Sequence, residues 1–178
     1  MKIYYITGGE RSGKSAYAQR LALSLSSQPY YLATSRIWDD DHQKRVDRHI
    51  ADRPAPWVSI EEEKELASVI IKKSVTVIDC VTLWLTNYYV DTQNDVEKCL
   101  ALVKAEFDKL RAIDATIIII SNEIGMGVHA STEIGRKFTE LQGWINQYIA
   151  RYADTAIFMV SGLPMILKGT EPLWTRSP

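Results

Sequence analysis

Cysteine is scarce in this chain. Cys80 and Cys99 are the only two in 178 residues, too few for a disulfide framework. One ends an apolar strand-like run and the other sits in a helical stretch, so buried free thiols are expected. Neither sign of charge is in excess. Lys and Arg number 21, Asp and Glu 22, for a net charge of −1. That excludes a global basic field and argues against nucleic acid as a partner, although a local basic patch stays open. Long apolar runs are missing as well. Nothing reaches the length of a membrane span, and the apolar stretch after Lys2 is too short for a signal peptide. A cytoplasmic protein is expected. Internal repeats, low-complexity tracts and obvious linkers are also absent. Residues 1–168 read as a single domain of ordinary globular composition, and 169–178 (GTEPLWTRSP) as a C-terminal tail.

What is present is an alternation of short β-branched runs with longer amphipathic stretches. KIYYIT (2–7), PYYLAT (29–34), VTVIDC (75–80), TIIIIS (116–121) and TAIFMV (155–160) read as strands, with a shorter one over 57–60. Helices are expected over 15–27, 39–51, 95–113 and 132–152, and an acidic helix start over 61–65. The strand runs hold few polar residues, as suits strands covered on both faces. Strands alternating with helices imply an α/β fold, a mainly parallel β-sheet flanked by helices. Ligands of such sheets lie at the C-terminal ends of the strands.

The first strand leads into Gly8-Gly9-Glu10-Arg11-Ser12-Gly13-Lys14-Ser15. This fits G-x-x-x-x-G-K-[ST], with a strand before and a helix after. Glycines let backbone N–H groups wrap a phosphate, and the helix N-terminus adds positive potential. Lys14 can reach the β- and γ-phosphates. Ser15 can ligate Mg2+, with Asp79 at the end of VTVID as the second metal-side oxygen. A P-loop NTPase-like protein is therefore expected. The pattern does not separate kinase, GTPase, motor ATPase and nucleotidyltransferase. After TIIIIS the chain reads Asn122-Glu123-Ile124-Gly125, which does not match the guanine-reading N-K-x-D. No L-S-G-G-Q occurs, and the chain is short for a motor core.

Histidines number three: His42, His49 and His129. His49 lies in RVDRHIADRP (45–54). On a helix Arg45 would share its face, with Arg48 and Arg53 near. Such arginines favour a neutral, nucleophilic imidazole and can hold phosphate oxygens. This suits attack on an α-phosphate with loss of pyrophosphate. On composition alone, a solvated helix face is the simpler reading. His42 and His129 read as surface residues. Trp84, Trp144 and Tyr148 read as core or interface packing groups on helices.

Several segments together resemble the bifunctional adenosylcobinamide kinase / adenosylcobinamide-phosphate guanylyltransferase family. They are GGERSGKS, ATS (33–35), RVDRHIADRP, VIDCVTLWLTN (77–87), SNEIGMG (121–127) and VSG (160–162), in the family's order across nearly the whole chain. The resemblance implies phosphorylation of adenosylcobinamide by ATP or GTP. It then implies transfer of GMP from GTP, through a guanylyl-histidine, to adenosylcobinamide phosphate. It places the histidine at His49 and the triphosphate at Gly8 to Ser15. It adds Ala33, Thr34, Ser35, Ile50, Ala51, Asp52, Arg53, Glu61 and Leu83 to the nucleotide site, and it implies a homotrimer. A base for the kinase step is left open among Asp79, Glu61 and Glu123. The rival readings are a one-step P-loop kinase for another small alcohol, with His49 structural, and a non-catalytic nucleotide switch.

Overall fold

A computed structural model describes residues 1–36 and 56–170. The expected helix over 39–51, with His42 and His49, and the tail residues 171–178 lie outside the described residues. Among the described residues, seven strands form one sheet: β1 (Lys2–Gly8), β2 (Tyr30–Ala33), β3 (Val58–Glu61), β4 (Val75–Asp79), β5 (Thr116–Asn122), β6 (Thr155–Val160) and β7 (Leu163–Lys168). Their order across the sheet is β3-β2-β4-β5-β1-β6-β7. All neighbours are parallel except β6 and β7. The described helices are α1 (Lys14–Leu25), α2 (Leu66–Val69), α3 (Val81–Asp91), α4 (Val96–Leu110) and α5 (Glu133–Tyr152).

The apolar run TIIIIS is explained by burial on both faces. Ile117 and Ile119 join Ile3 and Tyr5 in a cluster with Leu85, Val103, Phe107 and Ile145 from α3, α4 and α5. Ile118 and Ile120 join Tyr4 and Ile6 in the opposite cluster, with Tyr17, Leu21 and Ala22 from α1. The period of two splits one continuous run between two cores. Each buried isoleucine contributes roughly 1.5–3 kcal/mol. Cys80 and Cys99 are free and buried, and Trp84 is in the core, as expected. Trp144 is 44% exposed.

Two of the described helices, α4 and α5, begin at a side-chain cap. Asp95 accepts a hydrogen bond from the Lys98 N–H at 3.0 Å, and Thr132 from that of Gly135 at 3.0 Å. Three elements depart from the sequence reading, one of them α3, a helix over Val81–Asp91 for which the sequence pattern gave no bounds. The acidic stretch after Glu61 does not start a helix; the turn at α2 begins only at Leu66, which is fully buried. An additional strand, β7, follows β6 through a two-residue turn in which Ser161 and Gly162 both have positive φ (50° and 83°). That is the geometry of a type I′ hairpin. Among the described residues, no helix is long and apolar enough to cross a membrane.

Candidate functional site: a phosphate loop beside an acidic strand end

The loop between β1 and α1 is shaped by two glycines that cannot be replaced without strain. Gly13 stands at the N-cap of α1 with φ 93°, and a Cβ there would lie 3.2 Å from the Gly162 Cα. A Cβ on Gly8 would lie 2.5 Å from the Met159 carbonyl oxygen. The loop is also tied to the β6–β7 turn, since the Gly162 N–H donates to the Ser12 carbonyl at 3.0 Å. Gly9, Glu10 and Arg11 form its exposed rim.

Lys14 is 7% exposed and folds back over the loop. Its ammonium donates to the Gly9 carbonyl at 2.6 Å and lies 3.4 Å from Ser12 Oγ. Burial pushes its pKa below the usual lysine value, while Asp79, Cys80 and Glu10 oppose that shift. Ser15 Oγ donates to Asp79 Oδ2 at 3.1 Å. The same carboxylate oxygen accepts from the Tyr31 hydroxyl. Asp79 thus stands on β4, across β5 from the loop strand, with an oxygen aimed at the start of α1. Ser15 and Asp79 supply hard oxygen donors in contact with one another. That suits Mg2+, which keeps waters and phosphate oxygens in its shell and needs few protein ligands. Among the described residues, no group of three His, Cys, Asp or Glu side chains is placed to hold a metal alone.

The remaining expected residues gather along the neighbouring strand ends. In the sheet register Ala33 lies between Asp79 and Glu61. Thr34 is fully enclosed: its hydroxyl donates to the Cys80 carbonyl at 2.8 Å and accepts from the Cys80 N–H at 2.9 Å. In the structure it clamps β2 to β4. Ser35, Glu61, Glu62, Glu63 and Lys64 line an open cleft of about 450 Å³. Leu83 is half-buried on the first turn of α3, against the α1-side core. His49, Ile50, Ala51, Asp52 and Arg53 lie outside the described residues.

Glu123 follows β5, and its N–H donates to the Gly8 carbonyl at 3.0 Å, so the SNEIGMG segment is joined to the loop. Behind it, Asn146 and Gln142 of α5 hold the Ser121 hydroxyl at 2.6 and 3.0 Å. Sequence reasoning missed Tyr31, Thr82 (which accepts from Asn122 Nδ2 at 3.0 Å) and this pair on α5. Only Tyr31 carried a signal, as a polar-tipped residue one strand from Asp79. It also missed Arg36, whose guanidinium bonds Glu63 at 2.6 Å and Asp91 at 2.8 and 3.0 Å.

In fold, the chain resembles the flagellar accessory protein FlaH from Methanocaldococcus jannaschii, with a TM-score of 0.50 over 95% of this chain and 79% of that one, at 16% identity. In sequence it is 38% identical over 172 residues to the bifunctional adenosylcobalamin biosynthesis protein CobP of Pseudomonas aeruginosa, covering 94% of this chain and 98% of the relative. It is 32% identical over 178 residues to the protein of the same description, CobU, of Escherichia coli, covering 92% and 98%. The sequence profile of one family, described as cobinamide kinase / cobinamide phosphate guanyltransferase, matches residues 4–167. The chain belongs to that family.

Proposed function

We propose that this protein first phosphorylates the hydroxyl of adenosylcobinamide and then converts the phosphate to adenosylcobinamide-GDP. The observation that carries the reading is the contact of Ser15 with Asp79 beside the buried Lys14 ammonium, in a chain of this family. In the kinase step the alcohol oxygen attacks the γ-phosphorus of ATP or GTP. The bond to the β-bridging oxygen breaks, the nucleoside diphosphate leaves, and the alcohol proton passes to a base or to water. Lys14 exchanges the Gly9 carbonyl for phosphate oxygens and offsets charge on the transferring group. Ser15 and Asp79 would hold Mg2+, which when bound neutralises charge on the phosphates.

In the second step an imidazole nitrogen of His49 attacks the α-phosphorus of GTP and pyrophosphate leaves. An oxygen of adenosylcobinamide phosphate then attacks that phosphorus, the N–P bond breaks, and His49 is restored. The cleft of Ser35 and Glu61 offers carboxylates that can accept from the N1–H and amino group of guanine. Ile50 to Arg53, which follow His49 in the sequence, are assigned to the same nucleotide by the family resemblance. Residues 1–168 act as one catalytic domain, in a cytoplasmic homotrimer.

The test uses purified protein, magnesium and GTP labelled at the α- or the γ-phosphate. Acid-labile, base-stable label on the protein from α-labelled GTP alone, lost in His49→Ala while phosphorylation persists, is the expected result. No α-label in folded protein that still binds GTP would leave a simple kinase.

A further inference from the structure

The loop has two flanks of different chemistry. On the β4 side stand Asp79 and the acidic cleft of Glu61, Glu62 and Glu63. On the β6 side lies a separate cleft of about 360 Å³, bounded by Gly9, Arg11 and Ser12 of the loop and walled by Met126, Phe158 and Val160. Its size falls in the range of small-molecule sites. Glu10, Glu123, Met159 and Ser161 complete its rim. Met126 is 75% exposed and Val160 46% exposed, so their side chains are accessible from solvent. The wall is fixed to the loop by the Gly162 N–H to Ser12 carbonyl bond and by the close approach of Gly13 to Gly162.

A triphosphate on this loop has a direction. Ser15 and Asp79 mark the end where the β- and γ-phosphates and their metal belong. With β4, β5, β1 and β6 side by side and strands about 4.8 Å apart, β6 lies about 14 Å from β4. An extended nucleoside triphosphate with its γ-phosphate at Lys14 and its tail away from Asp79 carries its base to the β6 side. There a planar, apolar-faced group meets apolar walls, with Arg11 among the residues that line the cleft.

We propose that the cleft of Met126, Phe158 and Val160 is the nucleoside subsite of the phosphoryl donor, distinct from the Ser35–Glu61 side. The inference rests on the P-loop reading above. It resolves a chemical difficulty, because the two reactions break bonds at different phosphates of a nucleotide held by one loop. A donor lying towards β6 presents its γ-phosphorus at Lys14. A GTP lying the opposite way presents its α-phosphorus elsewhere. The walls touch base faces rather than edges, so ATP and GTP serve alike as donors.

The test compares ATP with inorganic tripolyphosphate, which has phosphates and no nucleoside, by calorimetric titration of the full chain with magnesium. Val160→Trp obstructs the cleft and Phe158→Ala removes a wall. Both are expected to weaken ATP by about tenfold or more and to leave tripolyphosphate unchanged. Unchanged ATP affinity in both variants, or equal weakening of both ligands, would overturn the subsite. Lys14→Ala separates the two levels: it should weaken both ligands. If it weakens neither, the P-loop reading itself falls, whatever the cleft variants do.

Discussion

Ser15 and Asp79, sixty-four residues apart in the chain, meet through a 3.1 Å hydrogen bond at the mouth of the phosphate loop. The Tyr31 hydroxyl donates to the same carboxylate oxygen. Asp79→Asn keeps the shape and loses the charge that a divalent cation requires. Phosphorylation should fall on the order of 10²-fold, with a raised magnesium requirement. Tyr31→Phe removes only the orienting partner and should cost about tenfold. A magnesium titration of both variants checks this, and equal, unchanged magnesium curves would remove Asp79 from the metal site.

Lys14 separates stability from activity. Its ammonium is buried, and burial lowers its pKa. Between the lowered folded value and the ordinary unfolded value, the folded state binds fewer protons, so stability rises with pH through that alkaline window. Lys14→Met should abolish that rise and leave the thermal midpoint at neutral pH equal or higher. Both transfer reactions should fall at least 10²-fold. Thermal unfolding against pH, alongside the two activity assays, tests the pair of statements.

The loop, the strand bearing Asp79 and the parallel sheet were legible because each is a local pattern. A glycine motif after a strand and an apolar run ending in a carboxylate need no knowledge of distant residues. The capped starts at Asp95 and Thr132 were legible for the same reason. Strand β7 was not, because LPMILK lacks a clean alternation and only the Ser161-Gly162 turn announces it. Nor could the sequence show that Thr34 is enclosed and spends its hydroxyl on Cys80, or that Arg36 joins Glu63 to Asp91. These depend on which strand ends become neighbours. Glu61 looked like a helix start because it opens an acidic run, but pairing with Ala33 made it the last residue of β3.

Two adjacent regions of the loop should respond differently to one added methyl group. Gly13→Ala meets both a left-handed backbone and the Gly162 Cα at 3.2 Å. It should destabilise the protein by about 1–3 kcal/mol. A Cβ on Gly9 meets nothing within 4 Å, so Gly9→Ala should fold with near-normal stability. Its methyl projects from the loop rim, so any loss should appear in nucleotide affinity instead. Denaturant unfolding and nucleotide titration of the two variants separate these effects. Equal destabilisation would mean that the loop tolerates neither change for reasons other than contact.

Asp91 anchors the chain where it leaves β2 for the segment that carries His49. Its carboxylate receives Arg36 at 2.8 Å and Lys64 at 2.7 Å. These hydrogen bonds, Arg36 first and Lys64 second, hold its pKa well below the usual aspartate value of 3.8. A depressed folded value means that the stabilisation is complete above the unfolded pKa and is lost as pH falls through the folded one. Because the side chain is 34% exposed, solvent screening limits its worth to about 1 kcal/mol. Asp91→Asn should therefore lower stability by about that much at pH 7, and the gap to wild type should narrow steadily below about pH 4. Added salt at pH 7 should narrow it too. Urea unfolding of the two proteins across this range checks the sign, and a gap that widened in acid would show that Asp91 acts through something other than its charge.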